Sequence, residues 1–379
     1  MSLPLIFALT LLPHMAFSGA RVNLSLFALH QGATPATVGI IISLIAAIPM
    51  FYSARWGRAI DRVGLYRPMI IAAGLVFIGV LLPVLWPRME TLFVSSVLMG
   101  SGFMLYHICA NQAVALVGSP EDRTRNFSVL ALAFSTSGFL GPMLAGFAID
   151  AIGHRLTFLA CAGFALVTLI LLHVKRHLIR RHHKPAAQTE TVKRRARDLL
   201  RNPVLMRIFV ISGLMSMCWD LYGFVIPIHG ASLKFSASTI GLILGSFGSA
   251  IFLFRLILPW VVRRFNERKL LLVTMVLSGL MLALIPLVES VPLLMAVSFL
   301  LGLGLGGTQP IIMSMLYTAA PAGRGAEAVG MRTQLLNITQ AGIPLIFGAL
   351  GAWFGMVPVF IAMGAALLWG AWHFKKREG

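Results

Sequence analysis

Acidic residues are scarce in this chain: twelve Asp and Glu stand against 31 Lys and Arg in 379 residues. Charge of either sign makes up only 11% of the composition, while 58% is hydrophobic and the mean hydropathy is +0.88. A soluble globule carries about a quarter of its residues charged, so this composition excludes one. Cysteine is scarce too. Cys109, Cys161 and Cys218 are widely spaced in apolar runs, which argues against a disulfide framework or a zinc site. Of the acidic residues only Asp220 lies well inside an apolar run. Paired deep carboxylates are therefore missing, and with them one common basis for a membrane enzyme. A positively charged leader is missing as well, so Met1 to Ala20 reads as the start of a first span that stays uncleaved.

What the chain has instead is long apolar runs. Runs of about 20 residues, the length a bilayer core requires, fall near 3–28, 36–54, 69–86, 91–117, 127–149 and 156–174. After a polar break they resume near 204–229, 237–261, 270–288, 291–319, 327–351 and 353–373. The runs are continuous rather than alternating, so they predict twelve helices and no membrane barrel. The net charge of +19 invites a nucleic-acid partner, but its distribution argues otherwise. With both termini cytoplasmic, 24 Lys and Arg fall in cytoplasmic links and the tail, against only Arg88, Arg155 and Lys234 outside. That asymmetry is the positive-inside pattern, and it accounts for the basicity without nucleic acid. Anionic lipid is an added partner for these loops.

The break at 175–203 holds ten bases against Glu190 and Asp198 and predicts a cytoplasmic linker between residues 1–174 and 204–379. Its His177, His182 and His183 fit a solvated basic loop better than a metal site. Across this linker the sequence repeats. Gly39 pairs with Gly241, Gly100 with Gly302, Gly102 with Gly304, Pro142 with Pro344 and Gly146 with Gly348, always 202 apart. A constant offset implies two copies of one six-helix unit with nearly equal loops. An even number of spans per copy gives both the same orientation, related by an axis along the membrane normal, with a solute site between them. The stretch Gly302-Leu-Gly304-Leu-Gly306-Gly307 satisfies a dinucleotide fingerprint, yet it lies inside a span and lacks the βαβ context. Close helix packing explains it.

Between spans two and three runs Gly57-Arg-Ala-Ile-Asp61-Arg62-Val-Gly64-Leu-Tyr66-Arg67. This segment resembles the loop between helices 2 and 3 of the major facilitator superfamily, whose pattern is Gly-x-x-x-Asp/Glu-Arg/Lys-x-Gly-x-Arg/Lys-Arg/Lys. Gly57, Asp61, Arg62, Gly64 and Arg67 match, whereas Tyr66 stands where a base is usual. In span five, Gly138-Phe-Leu-Gly141-Pro142-Met-Leu-Ala145-Gly146 is similar to the Gly-Pro-x-x-Gly-Gly motif of facilitator antiporters, with Ala145 replacing a glycine. A generic proline kink is the alternative. The resemblance implies an all-α membrane protein of twelve helices in two bundles related by a pseudo-two-fold axis. It further implies a non-enzymatic secondary transporter, monomeric and without cofactor, exporting a small organic compound against protons by alternating access. A bacterial-type inner membrane would be its setting. Uptake or exchange of an organic anion, or a non-transporting receptor on the same fold, remain as alternatives.

Candidate residues follow from the same reading. Asp220 in span seven and Arg21 in span one fall at similar depth in repeat-related helices, which makes either a proton-coupling switch or a fixed structural pair. His107 either carries a proton or only bonds helices together. Tyr106, His107 and Asn111 in span four, Trp219 and Tyr222 beside Asp220, Gln309 in span ten and Asn337 in span eleven are expected to line the cavity with Arg21 and Asp220. In the family the loop at 57–67 latches onto the cytoplasmic end of span eleven, near Gly323–Gly330 here. Asp61 would supply that latch, with Arg255 and Arg332 serving the same gate. Two departures stand out: span four lacks an arginine that many proton antiporters have, and span one lacks the acid of many multidrug exporters.

Overall fold

The computed structural model describes residues 3–115, 123–180, 197–321 and 325–376, and these contain helices and no strand. In chain order the helices are α1 (Leu3–His30), α2 (Pro35–Val63), α3 (Tyr66–Leu85), α4 (Met89–Ala115) and α5 (Arg123–Val174). Two short pieces, α6 (Arg176–Arg180) and α7 (Arg197–Arg201), lie within the 175–203 linker, near its two ends. Then come α8 (Pro203–Ser232), α9 (Ala237–Arg264), α10 (Glu267–Leu284), α11 (Val291–Gly306), α12 (Thr308–Ala319), α13 (Gly325–Phe354) and α14 (Met356–Lys376).

Eleven candidate membrane-crossing helices arise among the described residues, with α11 and α12 joined as one and α5 counted once. The apolar part of α5 is 49 residues, about 73 Å at 1.5 Å per residue and far longer than a bilayer core. Gly153 resolves the excess. Its φ of 77° lies where only glycine sits without strain, and it breaks α5 into two arms. Both arms fold back onto α1: a methyl on Gly19 would stand 3.2 Å from Gly141 O on the first arm and 3.2 Å from Cys161 Sγ on the second. The crossings therefore number twelve, in two six-helix bundles. The turns rich in Lys and Arg gather at one end, called here the basic end; Arg88, Arg155 and Lys234 mark the charge-poor end.

The repeat seen in sequence is a repeat of contacts. Thr34 caps α2 by accepting from Thr37 N at 3.3 Å, and its counterpart 202 residues on, Ser236, caps α9 by accepting from Thr239 N at 3.2 Å. Gly100 faces the Ile45 carbonyl, and Gly302 faces the Phe247 carbonyl. A large apolar core runs through both bundles, including Phe17, Phe158, Phe224 and Phe360, and a smaller one gathers Ile6, Leu9, Ile60 and Met69. Large apolar side chains such as Phe51, Ile71, Trp353 and Trp369 point outward. In water they would be an aggregation surface; in a bilayer they are the lipid face.

Two seams join the bundles. In seam one the first arm of α5 lies along α9, and in seam two α2 lies along α13. Toward the charge-poor end both seams close backbone to backbone. A Cβ on Gly241 would stand 2.8 Å from Pro142 O and 3.2 Å from Gly146 Cα. In seam two a Cβ on Gly39 would strike the Pro344 carbonyl and stand 3.2 Å from Gly348 Cα. Small residues permit this approach, and dispersion between the backbones rewards it in lipid.

Candidate functional site

Between the bundles, α8 presents Asp220, which is 4% exposed. Ser216, one turn earlier, donates toward its carboxylate, while Oδ2 has no hydrogen-bond partner. Arg21 of α1 acts on this charge from the other bundle, its guanidinium reaching to 3.9 Å from where a methyl on Gly223 would be. The two residues predicted from repeat depth are thus brought together across the bundle boundary, with Asp220 left partly unsatisfied. A buried carboxylate in that condition is costly, and protonation or a ligand's donor relieves the cost.

One side chain that sequence reasoning missed sits at the centre. His14, two turns before Arg21, is hydrogen-bonded through Nδ1 to Ser137 Oγ at 2.5 Å, and Ser137 Oγ in turn donates to Ala133 O at 2.7 Å. Around it stand Phe103 and Phe134, each with a ring centre 5.1 Å away, and Phe17 stacks on Phe103 at 4.0 Å. His107 lies on the other side of Phe134 at 5.0 Å. The clue was available: a polar ring in span one, on the arginine's own helix. Asn111 does not reach across this space, because its amide donates back to His107 O at 2.8 Å.

Arg255 of α9 spans seam one. Its Nη1 donates to Ser135 Oγ at 2.5 Å and Ala131 O at 3.2 Å on α5. Arg332, buried at 6% exposure, instead stays inside the second bundle, where Nε donates to Ser212 Oγ at 2.7 Å and Nη2 to Gln309 Oε1 at 3.0 Å. Gln309 is thereby committed to Arg332. Asn337 crosses seam two, with Nδ2 3.5 Å from Ser53 Oγ. Trp219 packs edge-on to Phe247 at 5.3 Å. The two tyrosines turn away: Tyr222 is fully buried, stacks on Phe247 at 4.2 Å and donates to Ile243 O at 3.2 Å, while Tyr106 belongs to the smaller apolar core. Their helices are apolar on every face, so no periodicity in the sequence marks which side looks inward.

Of the loop at 57–67, α2 continues through Gly57 and Arg62 to Val63, and Gly64, at φ 79°, ends it by donating to Ile60 O at 2.9 Å. Arg62 and Arg67 are exposed. The Asp61 side chain and residues 322–324 lie outside the described residues, as do His182 and His183 of the linker. In the proline segment, Gly138 lies beside His14, Gly141 abuts Ser18, and Ser18 Oγ donates to Ser137 O at 3.1 Å. Pro142 and Gly146 form the backbone contact of seam one. Among the described residues no group of three His, Cys, Asp or Glu is placed to hold a metal ion.

Asp150, also missed by sequence reasoning, holds the charge-poor end of seam one. It sits in the link beyond the fifth crossing. Its Oδ1 accepts from Ala237 N at 3.0 Å and its Oδ2 from Ser238 N at 2.7 Å, the first free amides of α9. Partial burial works against its charge, but the hydrogen bonds of Ser238, Ala237 and Ser236 outweigh that and hold the carboxyl below its ordinary range. Nearby, His154 Nδ1 is 2.7 Å from Asn23 Oδ1, and Arg155 Nε donates to Val84 O at 2.6 Å, which ties the link to α1 and α3.

Comparison with known proteins accords with this architecture. The sequence profile described as Major Facilitator Superfamily matches residues 6–231 and 208–378. The chain is similar to the tetracycline resistance protein, class C, of Escherichia coli, with 25% identity over 90% of this chain and 89% of that one. It is also similar to the multidrug resistance protein MdtG of Escherichia coli, at 23% identity over 90% and 85%. Among solved structures, the nucleoside transporter NupG superposes with a TM-score of 0.79 at 13% identity, covering 99% of both chains. A POT family transporter bound to a thioalcohol-conjugated peptide gives 0.80 at 16% identity, covering 97% of this chain and 94% of that one.

Proposed function

The chain belongs to the major facilitator superfamily, and from that membership we propose that it exports a small organic compound in exchange for protons by alternating access. Membership makes it a multi-pass secondary transporter; direction, coupling and cargo are the proposal. The observation that carries it is the single deep carboxylate, Asp220, buried with Oδ2 unpartnered and faced by Arg21 of the opposite bundle. Such a carboxylate is stable either protonated or close to the arginine, and exchange between those conditions is a coupling step. The proline segment at Gly138–Gly146 and the drug-resistance relatives support export. The basic end is assigned to the cytoplasm on the positive-inside rule, with residues 175–203 joining the bundles 1–174 and 204–379. Asp61, Arg62 and Arg67 serve the cytoplasmic gate of a monomer in a bacterial inner membrane.

The test is solute-driven proton movement in proteoliposomes, wild type beside Asp220→Asn. Wild-type protein loaded with a pH dye should show proton flux on adding a transported compound, and the variant should lose at least about tenfold of it, the effect of removing an essential proton carrier. Undiminished flux in Asp220→Asn would remove Asp220 from the coupling step.

A further inference from the structure

The two bundles differ where their first and fifth helices meet. In the first bundle, His14 of α1 is bonded to Ser137 on the first arm of α5 at 2.5 Å. Their counterparts 202 residues on are Ser216 and Thr339, which spend their hydroxyls elsewhere: Ser216 donates toward Asp220, and Thr339 Oγ1 donates to Leu336 O of its own helix at 2.8 Å. Beside Thr339 the second bundle carries a groove of about 340 Å³, lined by Met206, Val210, Gly213 and Met217 of α8 and Leu335 of α13. Thr339 is its one polar lining residue.

The groove opens to the bilayer. Ser212, which accepts from Arg332, points into the second bundle. Val210, two residues earlier, lies nearly opposite on a helix of 3.6 residues per turn. Val210 is 50% exposed and Met206 39%. An acyl chain is what the bilayer offers such a groove. Lipid tails are as apolar as the lining, so close packing holds a chain there without preferring one lipid over another. Preference has to come from the headgroup.

Arg207 supplies it. α8 is 30 residues long, about 45 Å at 1.5 Å per residue, against about 30 Å of bilayer core. Arg207, its fifth residue, therefore falls where chains give way to headgroups. It shares a face of α8 with Val210 and Leu214, three and seven residues on, and both line the groove. Its Nε is enclosed with no hydrogen-bond partner among the described residues. A charged donor in that condition calls for an anionic acceptor. Arg201, exposed beside the lining residue Leu200, adds a second base at the same end.

We propose that this groove holds one anionic phospholipid of the leaflet at the basic end, an acyl chain along Gly213 and Met217 between α8 and α13 and its phosphate on Arg207 and Arg201. Basic loops attract anionic lipid in bulk; this site holds a single molecule, at the level where His14 and Ser137 fasten the first bundle. It is independent of the cargo and of the direction of transport.

Native mass spectrometry of the purified full-length protein tests it, read as the one-lipid adduct with phosphatidylglycerol and with phosphatidylethanolamine of matched chains. Phosphatidylglycerol should be retained about fivefold more strongly, the worth of one base near a membrane surface. Arg207→Gln combined with Arg201→Gln should bring that ratio close to one, and Arg207→Lys should keep most of it. Gly213→Phe fills the floor, where a methyl would stand 3.5 Å from Leu335 Cδ2, and should lower retention of both lipids alike. Val210→Trp blocks the exposed mouth without disturbing packed residues and should do the same; all variants are first checked for a monodisperse elution profile. Equal retention of the two lipids by wild type, or a preference that survives loss of both arginines, would overturn the proposal. Retention unchanged in both Gly213→Phe and Val210→Trp would overturn the groove as the site.

Discussion

Seam one and seam two are the same structure twice in backbone and two different structures in side chains. Gly241 against Pro142 and Gly146, and Gly39 against Pro344 and Gly348, are equivalent contacts 202 residues apart. Even the hydrogen bonds fall at equivalent places: Arg255 with Ser135 in seam one, Ser53 with Asn337 in seam two. Yet the first is a guanidinium on a hydroxyl at 2.5 Å and the second an amide at 3.5 Å, the outer limit of a hydrogen bond. At the charge-poor end Asp150 binds two free amides of α9. Its counterpart in seam two is Ala352, and the counterpart of Ala237 is Pro35, which has no N–H. Duplication kept the backbone approach, where any added atom collides, and left the polar fastening free to diverge. Among the described residues, seam one carries strong polar contacts at both ends, while seam two carries the one long amide contact beside its packing.

The largest effect should come from what the seams share. Gly39→Leu and Gly241→Leu each drive a side chain into a carbonyl, and each should abolish transport or folded yield, read by fluorescence-detected size exclusion. Overpacking of this kind costs about 1–3 kcal/mol even where neighbours relax, and here the neighbour is backbone. If one glycine tolerates leucine and the other does not, the seams are not equivalent even in backbone.

A smaller effect should separate the seams. Double-mutant cycles on thermal stability should give a coupling of about 1.5–3 kcal/mol for Arg255 with Ser135, as for a hydrogen bond to a charged group, and under about 0.5 kcal/mol for Ser53 with Asn337. Equal couplings would erase the contrast.

The smallest effect concerns pH. Asp150 is held below its ordinary range, so its fastening is complete above the unfolded carboxylate value of about 3.9 and is lost only as pH falls through the lower folded value. Between pH 7 and pH 5, amide exchange at Ala237 and Ser238 should therefore keep the same protection, after correction for the intrinsic exchange rate. Asp150→Asn should lower that protection at both pH values alike. Protection that fades by pH 5 in the wild type would mean that another group controls this end.

Much of this was legible in the sequence, for a physical reason. A bilayer fixes span length, and charge in the links fixes alternation, so the crossings could be counted from composition alone. The glycine and proline pairs 202 apart were visible as a repeat, though not that each pairs with a residue of the opposite half. Side-chain direction was hidden, since lipid-facing and core-facing positions are both apolar. Tyr106 and Tyr222 were expected to look inward and are buried in the bundles, whereas His14, in the same kind of run, was overlooked. Asp150 escaped notice because an acid at the end of a span looks like a solvated loop residue until its partner helix is placed.

The glycine contacts have a mechanical consequence. Interlocked side chains act as gear teeth and resist turning, but a glycine against a carbonyl is a smooth bearing. Gly39 and Gly241 are two such bearings at equivalent places, one in each seam and both toward the same end of the molecule, and Gly248 against Gly138 O adds another deeper in seam one. Two points define an axle. Any rigid swing that keeps both contacts must turn about the line through Gly39 and Gly241, so the greatest travel belongs to the far end, among the arginines.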